Sequence, residues 1–587
     1  MLSPAQYGIT SDYANELAQR SETSDDLLRI AVVGNNTTQP IVTATRCALL
    51  SEGMLAHIYE APFDTYRQEI LSPNSDLYTF KPDIVVIAVD FSELDIHLDI
   101  PMSRQATENA LEAMADHWRK LWEALELHLG KPVLQHRCEI PEEEFLGIAE
   151  RRTRWSPPRF AESLNDRLAS IAPNFVKWID VDRLAARVGR QNWHDMRLYY
   201  HGKFGFSPRF LPEYTVLLAA ALRGTLGRTM KALILDLDNT LWGGVIGDDG
   251  LDGIQLGPDT PQGEAYQSFC RYIKALGRRG VILGICSKNE FSIATEVFDK
   301  HPHMPLKLND FAVVYCNWKD KAANLVEISR ELNIDISTLV FVDDNPAECE
   351  LIRQLLPEIF TIKADGDPAF FVRNLDHLHL FDSQVYSDED IKRSESYQSK
   401  AKSKDLQAKA PDLDSYLQSL GMKAKIKFAE PSELVRLSQM EMKTNQFNLA
   451  TRRLSDVELG GMIQSEDNVV LSVHLSDCFT EHGLVSYVAF AIANNKIIIT
   501  DWLMSCRVFS RTLENLIFNY VVRLAVKRKI KIIETTFIPT SKNKVMENMF
   551  EKLGFICIGK APEGPWQYEV RPGIKPLPCF ISDFYIE

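Results

Sequence analysis

Asp236, Asp238 and Thr240 stand at alternate positions directly after the apolar run Ala232-Leu-Ile-Leu235. Such a run is expected as a strand buried on both faces of a parallel sheet, which delivers its polar residues at the carboxyl end. Carboxylates beside a core cost free energy unless paired, and a divalent cation is the expected partner. The chemistry that fits is phosphoryl transfer. Asp236 is placed to attack phosphorus and form an aspartyl phosphate, and Asp238 to protonate the leaving oxygen and then activate water. Both the nucleophile and its substrate are anions, so the reaction calls for magnesium, expected on Asp236, Asp343, Asp344 and Asp238, the last through its backbone carbonyl. Ser287, Lys321 and Thr240 are the expected holders of the phosphoryl oxygens.

These residues come together only if the segment from 229 to 383 folds as a doubly wound sheet. The pattern predicts strands over 232–237, 281–286, 311–316, 338–343 and 360–364, separated by helices over 290–300, 322–332 and 347–355. A further helix starts at the Thr260-Pro261 cap and ends at Gly280. Ligands of such sheets gather at the carboxyl ends of the strands. Those ends carry Asp236 and Asp238, then Ser287, then Lys319 and Lys321, then Asp343-Asp344-Asn345-Pro346. Lys321 is preferred to Lys319 because it opens the next helix. The Gly-rich stretch 243–257 reads as a short hairpin or flap, too short for a full cap domain.

The remainder of the 587-residue chain is read as two more α/β or α+β domains and a connector. In residues 1–228 a polar lead precedes a strand at 27–34, and further strands are expected at 83–89 and from 133. Residues 384–411, rich in Lys, Ser, Glu and Gln, form the linker. Residues 412–587 carry strands near 469–475, 485–493, 496–502 and 530–536 and a helix at 511–527. A net charge of -15 speaks against broad nucleic-acid binding. The ten cysteines include no Cys-x-x-Cys pair, which suits reduced thiols in a cytoplasmic protein. The opening residues do not read as a signal peptide, and no apolar run reaches the roughly 20 residues that span a bilayer, so a soluble protein with no membrane association is expected.

The central set resembles the haloacid dehalogenase (HAD) superfamily. The match is closest to its FkbH-like branch through ILDLDNTLWGGVIGDDG from Ile234, ICSKN from Ile285, NWKDKAANL from Asn317, FVDDNPAE from Phe341 and TNQFNLATRR from Thr444. The resemblance implies an enzyme that removes phosphate from 1,3-bisphosphoglycerate and loads a glyceryl unit onto an acyl carrier protein in polyketide-type biosynthesis. The partners it implies are a small phosphorylated substrate and the carrier's phosphopantetheine arm. Cys286 is the acyl-accepting thiol on this reading, with Lys288 to favour its thiolate. Alternation along a strand instead points Cys286 away from Ser287 and into the core. A plain magnesium phosphatase and a carrier-binding scaffold are the alternatives.

Residues 1–228 resemble an SGNH-hydrolase-like domain, but Gly34-Asn35-Asn36 replaces Gly-Asp-Ser and leaves no serine nucleophile. A binding or packing module is therefore expected, with the aromatic stretch Trp193 to Phe210 as its seam to the next domain. Asn543 to Phe555 resembles the last helix and strand entry of GNAT acyltransferases. Ser510 and Thr512 stand where that family's phosphate loop needs glycines, so a grip on a pantetheine arm or support of the carrier is expected, rather than acetyl-CoA binding. Lys527-Arg528-Lys529 with Lys531 reads either as a docking patch for an acidic carrier or as a solvated helix end.

Overall fold

The computed structural model describes residues 4–20, 27–90, 92, 103–140, 142, 146–383, 412–444, 446–465, 467–505, 508–509, 511–540, 543–571 and 573–585. The expected linker 384–411 lies outside the described residues. The chain divides into two compact units, residues 1–227 with 455–458, and residues 228–454 with 459–587.

The first unit is built on five parallel strands, β1 (Leu28–Gly34), β2 (Ala56–Glu60), β3 (Ile84–Ala88), β4 (Val133–His136) and β5 (Val176–Ile179), in the order β2-β1-β3-β4-β5. β1 and β3 are apolar enough to be read from sequence. β2 and β5 are short with half-exposed centres, which erased their pattern. The polar lead is a helix, Pro4–Arg20, that packs onto the sheet layer. The aromatic stretch expected as a seam contributes its buried rings to this unit's own core. Trp193 is fully buried and stacks on Phe206 at 4.7 Å within this unit's own core, beside Phe210 and Tyr214. These four large rings bury more apolar area here than they would at an edge.

The central sheet in the second unit is parallel: β6 (Ala232–Leu235), β7 (Ile282–Ser287), β8 (Val313–Cys316), β9 (Leu339–Asp343) and β10 (Phe360–Lys363), in the order β10-β9-β6-β7-β8. β6 is central and its four residues are fully buried, between an apolar layer holding Leu233 and Leu235 and another holding Ala232 and Ile234. Gly284 lets β6, β7 and β8 close up, since a Cβ there would lie 2.7 Å from Ile234 and 2.9 Å from Val313. Helix starts are set by side chains. Thr260 accepts from the Gly263 amide at 3.0 Å, Asp320 from Ala323 at 3.3 Å, and Asn345 from Ala347 at 2.9 Å. The flap is a helical excursion, Ile246–Gly253, closed at its base by Gly243 and Gln255. The expected hairpin is thus reduced to one pair of residues.

The C-terminal sheet is mixed: β11 (Lys423–Phe428), β12 (Asn468–Ser476), β13 (Glu481–Ala493), β14 (Lys496–Met504), β15 (Ile532–Thr535), β16 (Ile556–Lys560), β17 (Gly564–Glu569) and β18 (Ser582–Tyr585). Their order is β16-β17-β15-β14-β13-β12-β11-β18, and the helix Leu513–Lys527 packs on the sheet. Among the described residues no helix is long and apolar enough to cross a membrane.

Candidate active site

β6 ends at Leu235, and the Asp236 amide extends the ladder by one bond to the Val342 carbonyl at 2.9 Å. This fixes Asp236 beside the end of β9, where Asp343 stands. Lys321, first residue of the helix capped by Asp320, reaches both carboxylates. Its Nζ is 3.0 Å from Asp236 Oδ1 and 2.6 Å from Asp343 Oδ2. Lys319 is exposed, and of the two lysines it is Lys321 whose Nζ reaches these carboxylates. Asp343 is fully buried, and its other oxygen accepts from the Asn345 amide at 2.9 Å. Carboxylate oxygens of Asp236, Asp343 and Asp344 lie within 4.8 Å of one another, a donor set that fits a hard divalent cation.

Electrostatics follow from this packing. Burial pushes the Asp236 carboxyl above its ordinary range; Lys321 opposes the shift and Asp343 adds to it. Asp344 is raised by burial and then by Asp343. Burial alone would lower the Lys321 ammonium, but Asp236 and Asp343 outweigh it and hold it charged. Ser287 is buried at the end of β7 and hydrogen-bonds Asp236.

Comparisons with known proteins give matches to three parts of the chain. Residues 29–219 match the model of the FkbH N-terminal domain. A crystal structure of the N-terminal part of a Bacteroides fragilis protein, containing a phosphatase domain complexed with magnesium, is 29% identical over 64% of this chain and 100% of that chain, with a TM-score of 0.59. Residues 29–219 are thus similar to the N-terminal domain of FkbH. A Thermoplasma acidophilum N-acetyltransferase crystallised with coenzyme A is 13% identical over 25% of this chain and 97% of that one, at a TM-score of 0.20. The Escherichia coli ribosomal-protein-S18-alanine N-acetyltransferase gives 12%, 26%, 98% and 0.20. No curated protein matches.

Two expected placements need correction, those of Thr240 and Cys286, while Asp238 keeps the place expected of it. The Asp238 carboxylate is outside the Asp236–Asp343–Asp344 group. Its Oδ1 accepts from Trp242 Nε1 at 2.9 Å and the Ile246 amide at 3.0 Å, and its Oδ2 from Asn289 Nδ2 at 3.0 Å. Those donors hold it toward the flap, which leaves only its backbone carbonyl for a metal. Thr240 is completely buried, and its Oγ1 has no hydrogen-bond partner among the described residues. No contact ties it to Asp236, Ser287 or Lys321 among the described residues.

Cys286 is the second correction. It is 0% exposed and packs with Ala232, Ile234, Val313, Ala322 and Leu325 on the sheet face opposite Leu235. Strand alternation operates through the end of β7, so Ser287 faces Asp236 and Cys286 faces the core. Burial pushes its thiol well above the ordinary range, with Lys321 opposing and Asp236 and Asp343 adding. Lys288 does not activate it, because its Nζ is 2.5 Å from Glu348.

Sequence reasoning missed Asn289, which bridges Asp238 and Ser287 Oγ at 3.1 Å, and missed Trp242 and Ile246 as anchors of Asp238. Asn289 lies inside the quoted ICSKN segment, two residues past Ser287, and that spacing at a strand end was the available signal.

Near the missing serine the described side chains are engaged in structural bonds. Asn36 donates to the Ala88 carbonyl at 3.2 Å, Asn35 to Asp90 at 3.2 Å, and Thr38 to Glu60 at 2.7 Å, so these side chains fasten the strand ends. In the C-terminal domain Arg507 and Ser510 lie outside the described residues, while Arg511 is ion-paired with Asp477 at 2.6 Å. Lys527, Arg528, Lys529 and Lys531 are exposed around a helix end.

Proposed function

We propose that the protein is a magnesium-dependent phosphohydrolase of the HAD type, with 1,3-bisphosphoglycerate as phosphoryl donor and an acyl carrier protein as acceptor of the glyceryl unit. The observation that carries the phosphohydrolase reading is the Asp236–Asp343–Asp344 oxygen cluster closed by the Lys321 ammonium. Asp236, Asp343 and Asp344 would hold the magnesium, which supplies positive charge against two approaching anions.

Asp236 Oδ attacks the phosphorus of the C3 phosphate ester as its bond to the glyceryl oxygen breaks, which leaves the C1 acyl phosphate for the carrier thiol to attack with loss of inorganic phosphate. Asp238 gives its proton to the glyceryl oxygen, then takes one from the water that cleaves the aspartyl phosphate and releases inorganic phosphate. Ser287 and Lys321 offset the charge on the phosphoryl oxygens. Asn289 keeps Asp238 and Ser287 in fixed relation, a positioning role.

The glyceryl donor and the carrier rest on the FkbH resemblance. Burial of Cys286 favours a narrower reading in which this chain removes phosphate and no enzyme-bound thioester forms on that residue. Incubation with magnesium, 1,3-bisphosphoglycerate and holo carrier protein, followed by phosphate assay and intact mass, separates the two. A glyceryl mass on the carrier supports the coupled reaction, phosphate without it leaves the phosphohydrolase alone, and neither product sinks both.

A further inference from the structure

The polar run Thr444 to Arg453 stands far in sequence from the phosphoryl site, and the C-terminal sheet gives it a role. β14 and β15 pair in parallel only from Lys496–Ile532 to Ile499–Thr535. Beyond that point they separate. Phe447 to Leu449 fills the split: the Leu449 amide donates to the Trp502 carbonyl at 3.1 Å, the Met504 amide to the Phe447 carbonyl at 3.1 Å, and Asn448 bridges Leu503 antiparallel. On the opposite edge the Ile538 amide donates to the Leu449 carbonyl at 3.1 Å, and Asn543 Nδ2 to the Asn448 carbonyl at 3.0 Å.

All three residues of this insert are buried, as is Asn543. One strand spacing therefore becomes two, a gap of about 9–10 Å holding three residues of the chain itself. Unpaired edges of this kind take extended chains by strand addition.

The segment is tied down just beyond the insert. Arg452 pairs with Asp501 of β14 through both carboxylate oxygens, Nε to Oδ1 at 3.1 Å, and Asp501 is 2% exposed. On either side of Arg452 the backbone is left-handed at Thr451 (φ 49°) and Arg453 (φ 57°). For β-branched Thr451 that conformation is disfavoured, so surrounding contacts must impose it.

We infer that residues 447–449 are a built-in occupant of the split in the C-terminal sheet, latched by Arg452–Asp501, and that they exclude an extended amide-bearing ligand such as a pantetheine arm from β14. Hydrogen exchange on the full chain, with coenzyme A as the probe, tests this.

In the wild type, the Leu449 and Ile538 amides are expected to exchange at least about tenfold more slowly than those of the exposed Asn494–Asn495 turn. Coenzyme A at about 1 mM leaves both unchanged. In Asp501→Asn the same two amides speed up at least about tenfold while β12 stays protected, and coenzyme A now slows the Ile538 and Met504 amides. Should β12 also lose protection, Arg452→Ala is read in its place.

Protection by coenzyme A in the wild type overturns the inference, as does fast exchange at Leu449 there. An insert that stays protected in both variants overturns the latch. Release without any effect of coenzyme A overturns the exclusion.

Discussion

At the scale of single residues the central site is a contest between charge and burial. Two carboxylates, one fully buried, share one ammonium. Removing Lys321 leaves them facing each other without compensation, so Lys321→Ala is expected to cost about 3 kcal/mol, part of it restored by magnesium in a denaturant titration. Asp236→Asn keeps the shape and removes the nucleophile, and phosphate release should fall by at least about a thousandfold. Cys286 supplies the contrast. Its thiol lies in an apolar layer, 3.9 Å from the Lys321 carbonyl, and Cys286→Ala should leave phosphate release within about twofold at a stability cost near 1 kcal/mol. Loss of glyceryl loading onto the carrier in that variant, with phosphate release intact, would return the thiol to the mechanism.

At the scale of elements, strand ends and helix starts place the chemistry, and capping residues fix the helix starts. Asp320 decides where Lys321 falls, and a shift of one residue at that cap would turn its side chain by about 100°. The C-terminal sheet holds an analogous junction. Glu433 lies between the His474 ring at 2.8 Å, Ser472 at 3.0 Å and Lys427 at 3.3 Å. Burial alone would raise its carboxyl, but the His474 hydrogen bond leads the contacts that bring it down to about 2 from 4.5. Asp477 is lowered in the same sense against burial, chiefly by His482 and Arg511. Groups depressed in the folded state stabilise it above their unfolded values and lose that contribution as pH falls. Near-ultraviolet circular dichroism should therefore show acid loss of structure between pH 4.5 and about 2, and Glu433→Gln should flatten that slope.

At the scale of the whole molecule, the two compact units carry different sheets, and the proposed magnesium ligands all belong to the second. A ligand that binds only the folded form stabilises the unit that holds it, by about 2.7 kcal/mol at a hundred times its dissociation constant. Magnesium should accordingly raise the melting transition of the second unit and leave that of the first in place, by calorimetry. Asp343→Asn should abolish the shift. An equal rise in both transitions would place the cation elsewhere.

The sequence by itself determined the five central strands and their polar ends, because β6 is apolar through its whole length and each following strand is punctuated by a polar or capping residue. It also determined Lys321 over Lys319, since a helix start has a chemical signature. Only the tertiary structure decided which way side chains turn once the chain leaves a strand. Thr240 and Asp238 follow β6 in the same spacing as Asp236. The turn buries Thr240, and donors from Trp242, Ile246 and Asn289, one of them 51 residues away, draw Asp238 toward the flap. The place of Thr444 to Arg453 was equally hidden, because its partners Trp502, Ile538 and Asn543 lie far along the chain. Periodicity reports local burial, whereas long-range hydrogen bonds are fixed by packing.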